Sequence, residues 1–279
     1  MKFYYSIMYK IWSLVFFVFL SSFSLFAQKF SGVIINAKSG LPIDYVNVGV
    51  IGQNIGTVSD AKGNYSLTID QQYDNDTLLV SCIGFHSFSI RVGDFKKLSN
   101  HSIELQERIF ELAGVVVRPK IFKQKILGVS TKRKFVQAGF SENNLGYEIG
   151  VLMKVRKSAF IERVIINVAR CSYDTLFYRV NIYRRDGKRM FENILEEPIY
   201  IELPKDMVAE EVVIDLERYN LGVQGDFLVS LEHVKGLGPG VLYFCASMGR
   251  RSYYRKTSQG KWESAPVGIS ISVEAKVEK

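Results

Sequence analysis

Between residues 28 and 107 apolar side chains recur at every second position in short runs broken by turn residues. Phe30–Asn36 (FSGVIIN) reads as an opening strand, and Ser39-Gly40-Leu41-Pro42 as a turn in which Pro42 fixes φ and has no N–H to donate. Val46, Val48 and Val50 alternate with Asn47 and Gly49, as in a strand with one face covered. Thr57–Ser59 and Asn64–Ile69 flank Asp60-Ala61-Lys62-Gly63, where an Asp can fold back on the backbone and a Gly can take positive φ; the pattern predicts a hairpin. Thr77–Cys82, Ser87–Val92 and His101–Leu105 complete about seven short strands, with no helical period of useful length. A small antiparallel sandwich is expected.

After a Lys/Arg-rich stretch the alternation returns from Leu145. Strands are predicted at Phe160–Arg170, Leu176–Tyr183, Glu211–Glu217 and Asp226–Glu232, followed by an apolar run at Val241–Met248 of the kind a central strand shows. Ile269, Ile271, Val273, Ala275 and Val277 alternate strictly with polar neighbours. Turns fall at Arg185-Asp186-Gly187 and Gly236–Gly240. Eight to ten strands imply a second, larger β-sandwich, most economically a jelly roll. The expected fold class is therefore all-β. Its expected divisions are a 28–107 sandwich, a basic linker at 108–143 and a jelly-roll-like sandwich at 144–279.

Gly32-Val33-Ile34, Ser39–Ile43, Val46-Asn47-Val48, Gly56-Thr57, Asp60–Tyr65 and Val80–Phe85 together resemble the carboxypeptidase regulatory-like domain, over about residues 30–105. The resemblance implies a transthyretin-like, seven-stranded sandwich of the carbohydrate-binding-like fold. It also implies the setting in which Gram-negative bacteria use this domain, the N-terminus of exported proteins, TonB-dependent outer-membrane receptors among them. The family motif marks turns and core, so it transfers no catalytic residue. Glu111–Val117 (ELAGVVV) resembles the junction leading into the plug of such receptors, but the roughly 160 residues that remain are too few for a large transporter barrel.

Composition adds a compartment. Lys2 and Lys10, an apolar run at Ile11–Leu20 and the small residue Ala27 follow the plan of a secretory signal peptide over 1–27, with cleavage expected after Ala27; a retained anchor is the alternative. The expected location is the periplasm or the outer-membrane surface of a Gram-negative bacterium. The net charge of +8 is uneven: residues 28–107 hold six Lys/Arg and eight Asp/Glu, while the excess of cations lies beyond Arg108, much of it in 118–134. That basic stretch reads as a solvated or membrane-facing segment, and no nucleic-acid partner is expected. Cys82, Cys171 and Cys245 lie in apolar strand patterns and read as buried thiols, although Cys171 and Cys245 could pair across a sandwich. Asp76-Thr77-Leu78 and Asp174-Thr175-Leu176 resemble a short acceptor motif for O-glycosylation of exported bacterial proteins.

No stretch assembles a reaction centre. His101 and Glu104 have H-x-x-E spacing, which on a strand sends them to opposite faces, and only His86 and His233 remain as further imidazoles. Gly236–Gly240 lacks the Lys-Ser/Thr of a phosphate loop, and Glu196-Glu197 and Glu210-Glu211 are adjacent acids that point apart. No catalytic residue, metal or cofactor is expected. The residues best suited to touch a ligand are Arg250, Arg251, Tyr253, Tyr254, Arg255 and Trp262, where rings beside polar groups have the composition that binds sugars; one tyrosine in the core and arginines on the surface is the competing reading. The chain is thus expected to be a non-enzymatic binding or assembly module of the bacterial envelope, with an envelope protein or a glycan as partner. A carbohydrate-binding protein using the second sandwich is the alternative, and a cryptic hydrolase with carboxylates distant in sequence a remote third.

Overall fold

A computed structural model describes residues 28–109, 121–186 and 190–279. The signal-peptide pattern over 1–27 and the Glu111–Val117 junction lie outside the described residues. The protein is all-β, with several sheets in a sandwich-like arrangement. None of the helices among the described residues is long and apolar enough to cross a membrane.

Seven strands form the first unit: β1 (Gln28–Asn36), β2 (Asn47–Val50), β3 (Gly56–Val58), β4 (Asn64–Ile69), β5 (Thr77–Ser81), β6 (Phe88–Arg91) and β7 (Ile103–Leu105). A single helical turn, α1 (Val92–Phe95), separates the last two strands. β4-β1-β7 make one sheet and β3-β2-β5-β6 the other. Alternation put Phe30, Ile34, Val48, Val50, Tyr65, Leu67 and Val80 on inward faces, and these pack into one core that Val92 and Phe95 of α1 complete.

The segment read as a hairpin is an arch. β3 pairs with β2 and β4 pairs with β1, so the chain crosses from one sheet to the other at Asp60–Gly63. The local chemistry is as expected: Asp60 Oδ1 accepts from the backbone N–H groups of Lys62 and Asn64, both at 2.8 Å, and Gly63 has φ of 73°. A Cβ at Gly63 would lie 2.5 Å from the Ile34 carbonyl oxygen, so glycine is required there twice over. A period of two assigns faces but not strand partners, which is why arch and hairpin look alike in sequence.

The second unit comprises β8 (Phe122–Gly128), β9 (Gln137–Phe140), β10 (Glu148–Met153), β11 (Ser158–Cys171), β12 (Thr175–Asp186), β13 (Met190–Asn193), β14 (Ile199–Pro204), β15 (Glu211–Asp215), β16 (Leu221–Gln224), β17 (Phe227–Glu232), β18 (Leu242–Arg255), β19 (Glu263–Ile269) and β20 (Ile271–Glu278). β8 and β9 fall inside the stretch expected as a linker. β8 pairs with β20 over seven residues despite its lysines, because an edge strand tolerates polar side chains on both faces. One layer runs β15/β16-β11-β20-β8 and the other β14-β12-β17-β10-β18-β19. The two 14-residue strands β11 and β18 each take part in one layer and then pair with each other at Val168–Cys171. Val151, Val164, Ile166, Tyr178, Val180, Phe227, Phe244 and Val273 are among the side chains closed between them.

All three cysteines are free. Cys171 lies opposite Leu242 and Cys245 opposite Gln137, so Cys245 sits three residues along β18 from the partner of Cys171. That is about 10 Å of strand, beyond the reach of a disulfide. Burial pushes the Cys82 thiol up to about 11. Alkylation of the denatured, unreduced protein should therefore label three thiols, and mass spectrometry that counts only one would contradict the strand register.

Candidate interdomain site

Four neighbouring strands of the second unit, β12-β17-β10-β18, carry one charged residue each at the same level. Arg179 lies opposite Glu232, Glu232 opposite Glu148, and Glu148 opposite Arg255. The row reads plus, minus, minus, plus across the sheet. All four side chains are buried, at 2%, 0%, 0% and 7% exposure. The opposite face of the same strands supplies Tyr178, Val180, Val229, Leu231, Ile149 and Val151 to the core. This sheet is covered on both sides, and the polar face is the one turned to the first unit.

The carboxylates are bound by the row and the level beside it, apart from Glu232 Oε1, which lies buried 3.8 Å from Arg255 Nη2 with no hydrogen-bond partner among the described residues. Glu232 Oε2 accepts from Arg179 Nε at 3.2 Å, from Arg179 Nη2 at 2.8 Å and from Asn181 Nδ2 at 2.7 Å. Glu148 accepts from Arg255 Nε at 2.7 Å, Asn181 Nδ2 at 2.9 Å, Tyr183 Oη at 3.2 Å and the Ser230 hydroxyl. Gly150 is the small residue that makes room, since a Cβ there would lie 2.5 Å from that of Ser230.

Burial by itself raises the pKa of both acids, and the outcome depends on how many guanidiniums each faces. Burial raises Glu148 against the pull of Arg255, with Glu232 adding to the rise. Burial likewise works to raise Glu232, but Arg179 and Arg255 together outweigh it and hold this carboxyl below the usual range. Arg179 stays charged because Glu232 overcomes its desolvation.

Arg179 also joins the two units. Its Nη1 donates to the Tyr45 carbonyl and its Nη2 to Asn47 Oδ1, both at 2.7 Å. Around it the Tyr45 ring meets Phe177 at 5.1 Å and Tyr200 at 5.5 Å, while Val58 and Val234 close the same cluster. On the other side Gln259 Nε2 donates to Ser81 Oγ at 2.8 Å, and the Gly52 N–H to the Gln259 carbonyl at 2.9 Å. A Cβ at Gly49 or Gly56 would lie within 2.3 Å of the Ser258 carbonyl oxygen, so these glycines set how closely the units approach. Asn47, Gly49 and Gly56 read in sequence as strand and turn residues; here they are also contact residues.

The six residues selected from sequence do not share one open face. Arg250 and Arg251 are exposed, at a bulge in β18 beside Gly249, which has φ of 76°. Tyr254 points to the core side, stacked on Tyr147, and donates to Glu263 at 3.0 Å. Tyr253, on the other face, meets the edge of Phe191 at 5.7 Å. Arg255 belongs to the charged row and lies 5.2 Å from the centre of the Trp262 ring, which is itself only 8% exposed. Arg179, Glu148, Glu232 and Asn181 were not selected. Arg179, Asn181 and Glu232 stand on the polar side of strands that the alternation predicts, Glu148 stands on β10, which it does not single out, and nothing in the pattern marks that side as covered. His101 packs between the rings of Phe30 and Phe95, and His233 among Phe140, Tyr173 and Tyr178.

Residues 30–117 match the family described as the CarboxypepD_reg-like domain. No curated protein matches the chain. Among solved structures, the major pilin subunit BcpA of Bacillus cereus, as its D312A variant, is similar at 6% identity, with 87% of this chain and 69% of the pilin covered and a TM-score of 0.18. The VP2 subviral particle of infectious bursal disease virus is similar at 9% identity, covering 90% of this chain and 64% of VP2, with a TM-score of 0.20. Scores this low carry no inference about this chain.

Removing one member of a buried pair strands its partner. Arg179→Met should cost about 3–5 kcal/mol, read as a lower denaturation midpoint. At pH 7 Glu232→Gln should cost more than Glu148→Gln, because Glu148 is the acid whose ionised form burial disfavours. The depressed pKa of Glu232 gives stability that is complete above the ordinary glutamate value of 4.5 and is lost as the pH falls through the depressed value. Glu232→Gln should remove that part of the acid sensitivity in denaturation followed from pH 7 to 3; an unchanged acid profile would contradict the assignment.

Proposed function

We propose, for a chain whose residues 30–117 form a CarboxypepD_reg-like domain, a non-enzymatic binding or assembly role in the bacterial cell envelope after export. The observation that carries this reading is the buried charged row and its bonds to the first sandwich. Its two carboxylates are bound by guanidiniums, an amide and hydroxyls of the second sandwich, and Arg179 of the same row also bonds the first. Buried acids bound in this way favour a holding role over acid–base chemistry. Arg179 anchored on Tyr45 and Asn47 lets the two sandwiches present their outer surfaces in a constant relation, which suits a module that positions a partner. Export rests on the charged, apolar and small-residue order of residues 1–27.

Fractionation of cells carrying the tagged full chain, with photo-crosslinking in the intact envelope, tests both parts. The expected result is a processed chain in the periplasmic or outer-membrane fraction with a discrete protein crosslink. A chain confined to the cytosol, or turnover of a glycoside or peptide lost on carboxylate substitution, would refute the reading.

A further inference from the structure

Beside the charged row the two units do not close completely. A cavity of about 410 Å³ remains, lined from the first unit by Asn47, Ser81 and the Cys82–Phe85 turn and from the second by Asn181, Tyr183, Phe191 and Asn193. That volume is within the roughly 300–1,000 Å³ typical of small-molecule sites. We infer that this interdomain cavity is a binding site for a neutral sugar of one or two rings, a role separate from the assembly surface proposed above.

Three features select that class. First, the charges of the wall are already paired. Arg179 and Arg255, which line the cavity, are held on Glu232 and Glu148 behind the floor, and Glu192 at the rim pairs with Arg184. A ligand with a net charge would meet no uncompensated partner, whereas a neutral one leaves the buried row intact. Second, hydrogen-bonding groups remain. Arg255 uses Nε and Nη2 on Glu148 and Tyr183, and Arg179 takes Asn47 Oδ1. Arg255 Nη1 and Asn47 Nδ2 make no hydrogen bond with the described protein residues, and neither is fully occluded although both residues are at least nine-tenths buried. Their N–H groups are available to oxygen acceptors. Third, the wall adds the exposed Ser87 hydroxyl, the remaining capacity of the Gln259 and Asn193 amides, which also bond Ser81 and Asn181, and the partly exposed Phe191 ring. Hydroxyl acceptors and donors on one side with a C–H face on the other are the two surfaces a pyranose offers, and a ring beside planar amides complements them.

Titration calorimetry and ligand-observed NMR on the full chain test the assignment. The neutral probes are glucose, N-acetylglucosamine, lactose and N,N′-diacetylchitobiose, and the anionic comparators glucuronate and glucose 6-phosphate. Ser87 is exposed at the mouth, so Ser87→Trp should obstruct entry without disturbing the core; Phe191→Ala removes the stacking face. The expected result is binding of at least one neutral sugar, weakened at least tenfold by either variant, with the melting temperature unchanged in Ser87→Trp. No neutral sugar bound up to about 10 mM, binding untouched by both variants, or tighter binding of the anionic comparators would each overturn the inference. Envelope fractionation is independent of this outcome, so the two readings fail separately.

Discussion

Two carboxylates and two guanidiniums buried between the sandwiches impose the constraint on which the arrangement depends. Taking any one of these charges out of water alone costs several kcal/mol, so none can be buried without the others. The sheet solves this by register. Placing Arg179, Glu232, Glu148 and Arg255 at one level of four adjacent strands flanks the repelling acids with a cation on each side. A slip of one residue in any of these strands would send its charge into the apolar core. The row therefore specifies strand pairing within the second unit as well as docking between the units.

Docking makes use of features that first serve the smaller sandwich. Asn47 sits on a central strand and accepts from Arg179, while Gly49 and Gly56 complete a strand pair and admit the Ser258 carbonyl. Tyr45, held at φ of 49°, offers its carbonyl to the guanidinium and its ring to Phe177 and Tyr200. Polar and apolar contacts thus alternate along the seam, and the cavity lies where neither set reaches across.

The aromatic residues around Trp262 show how much a covering layer changes their meaning. Arg255 beside Trp262 has the composition of a surface sugar platform, yet its guanidinium is committed to Glu148 and the indole is packed against Tyr183 and Phe191. Of the rings packed around Trp262, Phe191 and Tyr253 are partly exposed, and Phe191 lines the interdomain cavity.

What the residues determined by themselves is local. Alternation placed Val48, Val80, Val180 and Val229 on inward faces, and Asp60 with Gly63 specified a turn, because both depend on neighbours within a few positions. The motif over residues 30–105 identified the first domain for the same reason: its glycines and short apolar runs are local necessities of that fold. Tertiary structure alone decided which strands pair, turning the expected hairpin into an arch and drawing β8 and β9 out of the expected linker. It also decided that the polar side of β12, β17 and β10 is covered. A charge facing water and a charge facing an opposite charge occupy the same position in a period of two, and only the approach of a second domain distinguishes them.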